Sequence, residues 1–261
     1  MLGKSIGVID SGVGGISLLV KLNNALNNET FIYCGDNKNV PYGNKSYREL
    51  LSLASSMVIR LLPYKPKCII LGCNTLSLTV RKDIEDFAGV PVFGVFPPIE
   101  NELILGRKTI LLATERTCDF YKKISKRLSL HDKKSLTIIP QKNLASETEK
   151  FYTSFQNNRT VNNENSCLTG KNFLNKAGES FYCFDSVVLG CTHYEFIKMR
   201  LKSTLLTTDI LSGEENTVNA VKLWEKESKN EKNDSKNKVI FIGGNSTQNK
   251  KLFNSLTKTL I

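Results

Sequence analysis

Two cysteines occupy equivalent positions in a repeated sequence pattern. Cys73 lies within CIILGCNT (Cys68 to Thr75) and Cys191 within SVVLGCTH (Ser186 to His193), 118 residues further along the chain. Each cysteine ends an apolar run, follows a glycine and opens a helix-like segment. The N–H groups at the start of a helix favour a thiolate, so both positions predict a reactive thiol. An ordinary cysteine, with a pKa of about 8.5, is only slightly ionised at neutral pH, so each thiol needs a further partner.

Each of these two thiols has a candidate proton acceptor. His193 is two residues beyond Cys191 and is one of only two histidines, while Asp10 ends the first apolar run, in the half that also carries Cys73. A thiol beside a base is suited to general acid and base chemistry. A capping or core role for His193 stays open, and His131, in a lysine-flanked loop, is expected at the surface.

The remaining cysteines are expected to be small buried hydrophobic residues: Cys34, Cys68, Cys118, Cys167 and Cys183. A total of seven cysteines, with no CxxC pair, argues against a disulfide framework and against a four-thiolate zinc site. It is typical of a reducing compartment. A zinc site made from Cys183, Cys191 and His193 lacks the usual ligand spacing, so we expect no metal.

A glycine-rich turn follows the first apolar run. The residues DSGVGG (Asp10 to Gly15) lack the third glycine of GxGxxG and have no GK[ST] after them, so the turn predicts a site for a carboxylate rather than a nucleotide. Neutral hydrogen-bond donors are expected at equivalent strand ends: Ser11, Asn74, Thr75, Thr114, Thr117 and Thr192. Such a site suits a small amino acid or a diacid.

Short β-branched runs alternate with segments of helical period. The predicted strands are Ser5 to Ile9, Thr30 to Cys34, Cys68 to Leu71, Pro91 to Val95, Thr109 to Ala113, Leu136 to Ile139, Ser186 to Leu189 and Val239 to Ile242. Helical spacing appears in Ile16, Leu19, Val20 and Leu22, and again from Leu50 to Leu61. This alternation predicts an α/β fold with mostly parallel sheets and with ligand sites at the carboxyl ends of the strands.

The repeated cysteine pattern predicts two similar halves. A weaker echo pairs GVIDS (Gly7 to Ser11) with LLATE (Leu111 to Glu115). We expect two pseudo-symmetric α/β domains that face each other across a cleft, each supplying one thiol from an equivalent turn. The predicted first domain comprises 1–96 and 210–261 and carries Asp10 and Cys73, and the second comprises 97–209 and carries Cys191 and His193.

Composition excludes several classes of protein. The chain has 261 residues, of which 40% are hydrophobic, so it has enough apolar material for a packed core. No apolar run approaches the roughly 18 residues that a membrane span needs, and no signal-peptide core precedes Asp10, so we expect a cytoplasmic protein without membrane contact. The net charge of +11 comes mostly from scattered lysines, which favours a solvated surface over nucleic-acid binding.

Two polar stretches are expected to contribute little to the packed fold. The segment Gln156 to Ser180 is rich in Asn, Lys and Ser, and the segment Glu225 to Lys238 contains no apolar residue. Neither can easily offset the entropy lost on ordering. We interpret the second as an exposed helix end followed by a mobile linker.

A series of short motifs resembles the bacterial glutamate racemase family in order and in spacing, over nearly the whole chain. The motifs are DSGVGG (Asp10 to Gly15), VPYG (Val40 to Gly43), GCNT (Gly72 to Thr75), ATERT (Ala113 to Thr117), GCTHY (Gly190 to Tyr194) and SGE (Ser212 to Glu214). The resemblance implies two pseudo-symmetric α/β domains and a cofactor-independent racemisation of glutamate, whose D-isomer serves peptidoglycan synthesis. It also implies a homodimer.

The resemblance also implies roles for individual residues. Cys73 and Cys191 would be the acid/base pair on opposite faces of the substrate α-carbon, and Asp10 and His193 would assist them. Substrate binding would fall to Ser11, Pro41, Tyr42, Gly43, Asn74, Thr75, Thr114, Thr117 and Thr192. The helical glutamate of the family is matched only loosely, by Glu147, because the apolar run that should precede it reads Gln141-Lys142-Asn143.

Other functions stay open at this point. The motifs identify the two thiols more clearly than they determine the length of the pocket for the substrate side chain. A racemase of aspartate or of another acidic amino acid is therefore an alternative. Cys191 with His193 would also suit a nucleophilic pair that forms a thioester in acyl transfer. A non-catalytic basic module that binds DNA in a strongly salt-dependent way is the third alternative.

Overall fold

The computed structural model describes residues 5–155, 184–204, 209–228 and 236–259. Within them lie nine strands: β1 (Ser5–Asp10), β2 (Thr30–Gly35), β3 (Pro66–Leu71), β4 (Val92–Gly94), β5 (Thr109–Ala113), β6 (Leu136–Pro140), β7 (Ser186–Gly190), β8 (Asp209–Ser212) and β9 (Lys238–Ile242). Eight of them are the strands predicted from the sequence, with ends that differ by up to two residues. The four-residue β8 is the one that the apolar pattern does not reveal.

Helices connect these strands. They are α1 (Gly15–Ala25), α2 (Tyr47–Leu61), α3 (Asn74–Ala88), α4 (Ile99–Ile104), α5 (Glu115–Ser125), α6 (Leu130–Ser135), α7 (Leu144–Phe155), α8 (Lys198–Thr204), α9 (Glu214–Glu227) and α10 (Ser246–Thr259). Short 3-10 helices cover Tyr42–Asn44, Leu62–Tyr64 and Thr192–Ile197. Local chemistry sets several ends: Ser46 and Glu49 form a capping box at the start of α2, and Gly89 ends α3 with a φ of 66°.

The strands form two parallel sheets with the same internal order. The first sheet runs β4-β3-β1-β2-β9 and the second runs β6-β5-β7-β8. All of the pairings are parallel. Read in reverse, the second sheet places β8, β7, β5 and β6 where the first has β4, β3, β1 and β2. The cysteine-bearing turns follow β3 and β7, so the repeat predicted from the sequence corresponds to a repeated topology.

Each sheet is covered on both faces. Alternate residues of the first sheet pack against α1, α9 and α10 on one side, as Val8 does, and against α2 and α3 on the other, as Ile9 does. In the second sheet Leu112 faces α7 and Leu111 faces α5. Burial on both faces explains why the central strands are continuous apolar runs rather than alternating ones.

Contacts between the two halves lie at the carboxyl ends of the strands. The Thr75 hydroxyl, after β3, lies 3.2 Å from the Thr114 hydroxyl, after β5. The Val13 N–H, after β1, donates to Glu149 of α7 at 2.8 Å. The two sheets therefore face each other through their ligand-binding edges and enclose a cleft, as expected for parallel α/β units.

Some predictions about chain organisation are affected by the structure. The domain boundary predicted between 209 and 210 falls inside β8, which pairs with β7 in the second sheet. The exposed helix end predicted from Glu225 is wrong for Glu225 itself, which is buried and lies 2.8 Å from Lys67 Nζ. Residues 156–183 and 229–235 lie outside the described residues, and with them the whole of the first polar segment, the middle of the second, Cys167 and Cys183. At the end of the second segment, Asn237 donates hydrogen bonds to the Asn23 and Leu26 carbonyls at 2.7 Å, so the predicted mobile linker does not extend to it.

Among the helices of the described ranges, none combines the length and the apolar character needed to cross a membrane.

Candidate active site

Cys73 sits at the junction between β3 and α3. It precedes the first residue of α3, and its side chain is almost completely buried. Burial and the nearby charge of Asp10 raise the pKa of the Cys73 thiol to about 12, although the Leu76 N–H and the Ser11 side chain partly offset this rise by hydrogen bonding. Cys73 is therefore a protonated thiol at neutral pH.

Cys191 occupies the matching junction after β7 but has a different partner. Its sulfur lies 3.8 Å from His193 Nδ1, and the other ring nitrogen of His193 lies 2.8 Å from Glu149 Oε2. Burial lowers the pKa of His193, but hydrogen bonds and charge interactions with Cys191 and Glu149 outweigh burial and raise this pKa well above its ordinary value. The arrangement therefore places an imidazolium, oriented by a carboxylate, beside the Cys191 sulfur.

Glu149 also connects the two halves. Its Oε2 accepts from the Val13 N–H at 2.8 Å, and its Oε1 accepts from Asn37 Nδ2 at 2.6 Å. These bonds and the contact with His193 hold the pKa of Glu149 below its ordinary value despite burial. A carboxylate of the second half thus caps the glycine-rich turn of the first half, just before α1 begins.

Asp10 lies at the end of β1 with no exposed surface. Its Oδ1 accepts from the Gly12 N–H at 2.8 Å. Burial raises the pKa of Asp10, although His193 and the backbone N–H groups of the turn work in the opposite direction. The charge of Asp10 acts on Cys73 and helps to raise the pKa of that thiol.

Buried hydroxyl groups line the contact between the halves. The Thr114 hydroxyl lies 3.2 Å from those of Thr75 and Thr117. The hydroxyl of Thr192, next to Cys191, is buried without a hydrogen-bond partner among the described residues. Neutral donors of this kind suit the carboxylate and ammonium groups of an amino acid.

The VPYG turn lies against the second half. The Val40-Pro41 peptide bond is cis, and a short 3-10 helix starts at Tyr42. The Tyr42 side chain is buried and its hydroxyl donates to Asp36 Oδ2 at 2.6 Å. A Cβ at Gly43 would overlap the side chain of Thr114, so this close approach of the two halves requires glycine. The side-chain amide of Asn74 donates a hydrogen bond to the Val95 carbonyl at 3.1 Å.

The geometry brings the two cysteine turns together in one cleft. The Thr75 hydroxyl, two residues after Cys73, lies 3.2 Å from Thr114, and a Cβ at Gly14 would lie 2.6 Å from His193 Nδ1, two residues after Cys191. No cluster of three metal-binding side chains occurs in the part of the chain that the structure describes. Two thiols with separate proton partners are equipped to remove a proton from a small molecule and to return one.

Two named proteins are similar in sequence to this chain over most of its length. A glutamate racemase of Clostridium novyi is 30% identical over 255 residues, which cover 96% of this chain and 91% of that protein. One from Clostridium acetobutylicum is 33% identical over 221 residues, which cover 83% of this chain and 82% of that protein. No protein-family model matches. The chain belongs to the glutamate racemase family.

Solved structures of other glutamate racemases share the fold. The enzyme of Francisella tularensis, in complex with D-glutamate, is 24% identical with a TM-score of 0.74, covering 97% of this chain and 94% of that chain. The Escherichia coli enzyme, in complex with L-glutamate and the activator UDP-MurNAc-ala, is 20% identical with a TM-score of 0.74, covering 97% and 95%. At these identities the likeness shows the two-domain α/β fold of this glutamate racemase family member.

The structure identifies Glu149, not Glu147, as the carboxylate that contacts His193. Glu149 is buried with Leu144, Ala145 and Thr148 on one face of α7, whereas Glu147 is only half-buried. The contact with His193 is therefore made two residues after the loosely matched Glu147. A carboxylate in line with the apolar positions of an amphipathic helix is the sequence signal that would have found Glu149.

Two polar residues at the end of β2 also escaped the sequence analysis. Asp36 accepts the hydrogen bond of Tyr42, and Asn37 contacts both Glu149 and Asn249. Their signal is weak, because a polar turn after a strand is common and gives no reason to expect a particular partner. As predicted, His131 lies at the surface, and the described cysteines Cys34, Cys68 and Cys118 are buried.

Proposed function

We propose that this protein interconverts L-glutamate and D-glutamate through proton transfer by Cys73 and Cys191. The observation that carries the proposal is the pair of equivalent strand-end thiols, one from each half, which share a single cleft but have different proton partners. The names of the relatives support glutamate as the substrate. The D-glutamate formed would serve peptidoglycan synthesis, as the motif series implies.

The reaction needs one proton removed and one added at the α-carbon. A thiolate on one face takes the α-proton, which leaves a planar carbanion stabilised by the adjacent carboxylate. The thiol on the other face then donates its proton to the opposite side of that carbon and becomes the thiolate. The configuration inverts, no electrons are transferred to an acceptor, and the two cysteines exchange protonation states.

The starting protonation state favours Cys191 as the first base. Despite burial, hydrogen bonds and charge interactions with Cys191 and Glu149 raise the pKa of His193 and keep it an imidazolium, so a positive charge lies beside the sulfur that would act as the base. Cys73 keeps its proton because burial and Asp10 oppose its ionisation. After one turnover these states are reversed. They are restored when Asp10 takes up a proton and passes it to Cys73, while His193 releases its own proton and takes that of Cys191, with solvent as the final source and acceptor of the two protons.

The lining of the cleft suits the charged groups of an amino acid. The N–H groups at the start of α3 and the hydroxyl groups of Thr75, Thr114, Thr117 and Thr192 are donors for carboxylate oxygens. Ser11 and Asn74 add polar groups next to Cys73. Tyr42, Gly43 and the cis peptide at Pro41 shape the side of the cleft that meets Thr114.

Solvent-hydrogen exchange tests the proposal. Purified protein, without added cofactor, is incubated with L-glutamate and separately with D-glutamate in deuterium oxide, and proton NMR and circular dichroism are followed. We expect deuterium to enter the α-position in both cases while the optical signal decays to that of the racemate. Absence of exchange from folded protein would overturn the proposal. Exchange and inversion with aspartate in place of glutamate would move the activity to the alternative substrate.

The resemblance also supports a homodimer located in the cytoplasm. Light scattering coupled to size exclusion tests the dimer, which should appear at twice the mass of the chain. A monomer mass across a range of protein concentrations would contradict it.

A further inference from the structure

A group of charged side chains links three segments away from the thiols. Lys21 lies on α1, and its Nζ is 3.0 Å from Glu214 Oε2, 2.9 Å from Glu215 Oε1 and 3.9 Å from Glu195 Oε2. Ser17, one turn earlier on α1, donates a hydrogen bond to Glu214. We refer to Lys21, Glu195 and Glu214 as the Lys21 cluster.

The cluster connects the two halves of the molecule. α1 follows the turn that holds Asp10 and packs on the first sheet. Glu195 belongs to the 3-10 helix Thr192–Ile197, which starts directly after Cys191 at the end of the second sheet. Glu214 is the first residue of α9, which follows β8 of the second sheet and packs on the first sheet. Lys21 therefore joins the Cys191 segment, through Glu195, to two helices that pack on the first sheet.

Burial makes these contacts sensitive to the loss of the lysine. Glu214 has no exposed surface, and the side chain of Glu195 is only 8% exposed. Burial and the proximity of Glu195 raise the pKa of Glu214 to about 7, whereas Lys21 acts to lower it. Without Lys21 the two carboxylates would face each other with no cation between them, and buried like charges repel.

α1 contacts the Cys191 segment at a second point. At the start of the helix, a Cβ added to Gly14 would lie 2.5 Å from Thr192 Oγ1 and 2.6 Å from His193 Nδ1, so the backbone here touches the residues after Cys191. Lys21 is seven residues further along, about two helical turns or ~10 Å. Contacts at two separated points determine both the distance and the orientation of the segment relative to α1.

We propose that Lys21 is a positioning residue for racemisation, because, itself held by Glu214, it binds Glu195 and so keeps the segment of Cys191 and His193 at a set distance from the Cys73 turn. The inference rests on the proposed function. Inversion needs the second sulfur to reach the carbanion, and a displacement of about 1 Å can cost about 100-fold in rate. When the segment loosens, Cys73 still removes the α-proton of the enantiomer that presents it to Cys73, but Cys191 returns a proton to the opposite side less often.

The test compares two lysines that contact the same carboxylate. Lys21→Met removes the contact between the halves. Lys198→Met is the matched control, because Lys198 Nζ lies 3.8 Å from Glu195 Oε1 but belongs to the same half, three residues along the chain. Inversion and α-hydrogen exchange of glutamate are measured together in deuterium oxide. For Lys21→Met, with the enantiomer that Cys73 deprotonates, we expect inversion to fall about tenfold and the ratio of inversion to exchange to fall several-fold, with Lys198→Met within twofold of wild type.

Two further measurements keep the outcome unambiguous. Lys21→Arg keeps the positive charge and should restore most of the wild-type ratio of inversion to exchange. Labelling by iodoacetamide, followed by peptide mass spectrometry, should be faster at Cys191 in Lys21→Met than in Lys198→Met, and this readout does not depend on catalysis. If Lys21→Met fails to fold, Glu195→Gln weakens the same contact from the other side and should lower the ratio in the same direction.

Three results would overturn the inference. They are an unchanged ratio in folded Lys21→Met, an equal loss in both lysine variants, and a loss in Lys21→Arg as large as in Lys21→Met. Failure of the proposed function looks different, because the wild-type protein would then show neither inversion nor exchange.

Discussion

The two cysteine turns share a position in the repeated fold but differ in their electrostatics. At the end of β3, Cys73 is buried next to the carboxylate Asp10. Burial and the charge of Asp10 raise the pKa of the Cys73 thiol to about 12. At the end of β7, Cys191 faces His193, whose ring is backed by Glu149. One turn therefore keeps its thiol protonated, and the other places a cation beside its sulfur.

This difference explains how a symmetric reaction can start from a defined state. Two identical thiols in identical surroundings would both be protonated at neutral pH, and neither would act as a base. Opposite surroundings give one base and one acid from the same residue type. The repeated topology supplies the facing geometry, and the non-repeated residues around each thiol assign its starting role.

Removal of either thiol should produce the largest effect. Cys73→Ser and Cys191→Ser should each lower the rate of racemisation about 1,000-fold or more, because a serine hydroxyl ionises far less readily than a thiol. Measurement is by circular dichroism with each enantiomer as substrate. Each variant keeps one thiol, so any remaining α-hydrogen exchange in deuterium oxide should be confined to one enantiomer, and to opposite enantiomers in the two variants. Exchange of the same enantiomer by both would place the two thiols on one face of the substrate.

Glu149→Gln tests why the Cys191 turn differs. The substitution keeps the shape but removes the charge that helps to raise the pKa of His193. The imidazolium should then lose its proton at lower pH, so the basic limb of the pH profile of kcat/KM should move to lower pH and the maximum should fall about 10-fold to 100-fold. Glu147→Gln, two residues earlier on α7 and only half-buried, is the matched control and should stay within twofold of wild type. Equal effects of the two variants would remove Glu149 from this role.

Asp10→Asn tests the opposite turn and should have a smaller, more specific effect. Because Asp10 contributes to the raised pKa of Cys73, its neutralisation should lower that pKa and increase thiolate formation. We expect alkylation of Cys73 by iodoacetamide at about pH 8 to be several-fold faster, while Cys191 changes less than twofold. Racemisation should slow despite the more reactive thiol, because proton return to Cys73 is impaired. An unchanged alkylation rate at Cys73 would contradict the electrostatic role of Asp10.

The sequence predicts the interior of the fold better than its edges. β1, β3, β5 and β7 are buried on both faces, and their apolar runs define them clearly. β8 lies at the edge of its sheet and has only two apolar residues, Ile210 and Leu211, so its pattern resembles a loop. Glu225 belongs to a polar run, and nothing in that run distinguishes the one member that pairs with buried Lys67. A pattern of charges in the sequence gives the composition of a segment. The burial of one charged residue depends on which residues the tertiary structure places opposite it.

The candidate site shows the same division. Cys73, Cys191, Asp10 and His193 follow strands or glycines in recognisable motifs, so their neighbours in space follow from strand order. Glu149 and Lys21 lie within helices, and their importance comes from the other half of the molecule. Contacts between halves depend on how the two sheets are oriented, and neither local propensity nor hydrophobic period contains that information.

A cysteine inside a strand gives the smallest expected effect and completes the comparison. Cys68 lies on β3 five residues before Cys73, is fully buried, and packs with the core around α1. Burial raises its pKa, so it stays a thiol with no role in proton transfer. Cys68→Ala should lower the free energy of unfolding by about 1 kcal/mol through the lost packing, measured by urea denaturation, and should leave kcat within twofold of wild type.

The contrast on one strand separates position from residue type. If Cys68→Ala folds well yet loses racemisation more than about fivefold, reactivity would not be confined to the turns, and the account of Cys73 and Cys191 as a special pair would need revision. If only stability changes, the same side chain acts as a packing group inside β3 and as an acid or base where the strand ends. The difference then lies in the helix start, the charged neighbour and the facing half of the molecule, which only the turn provides.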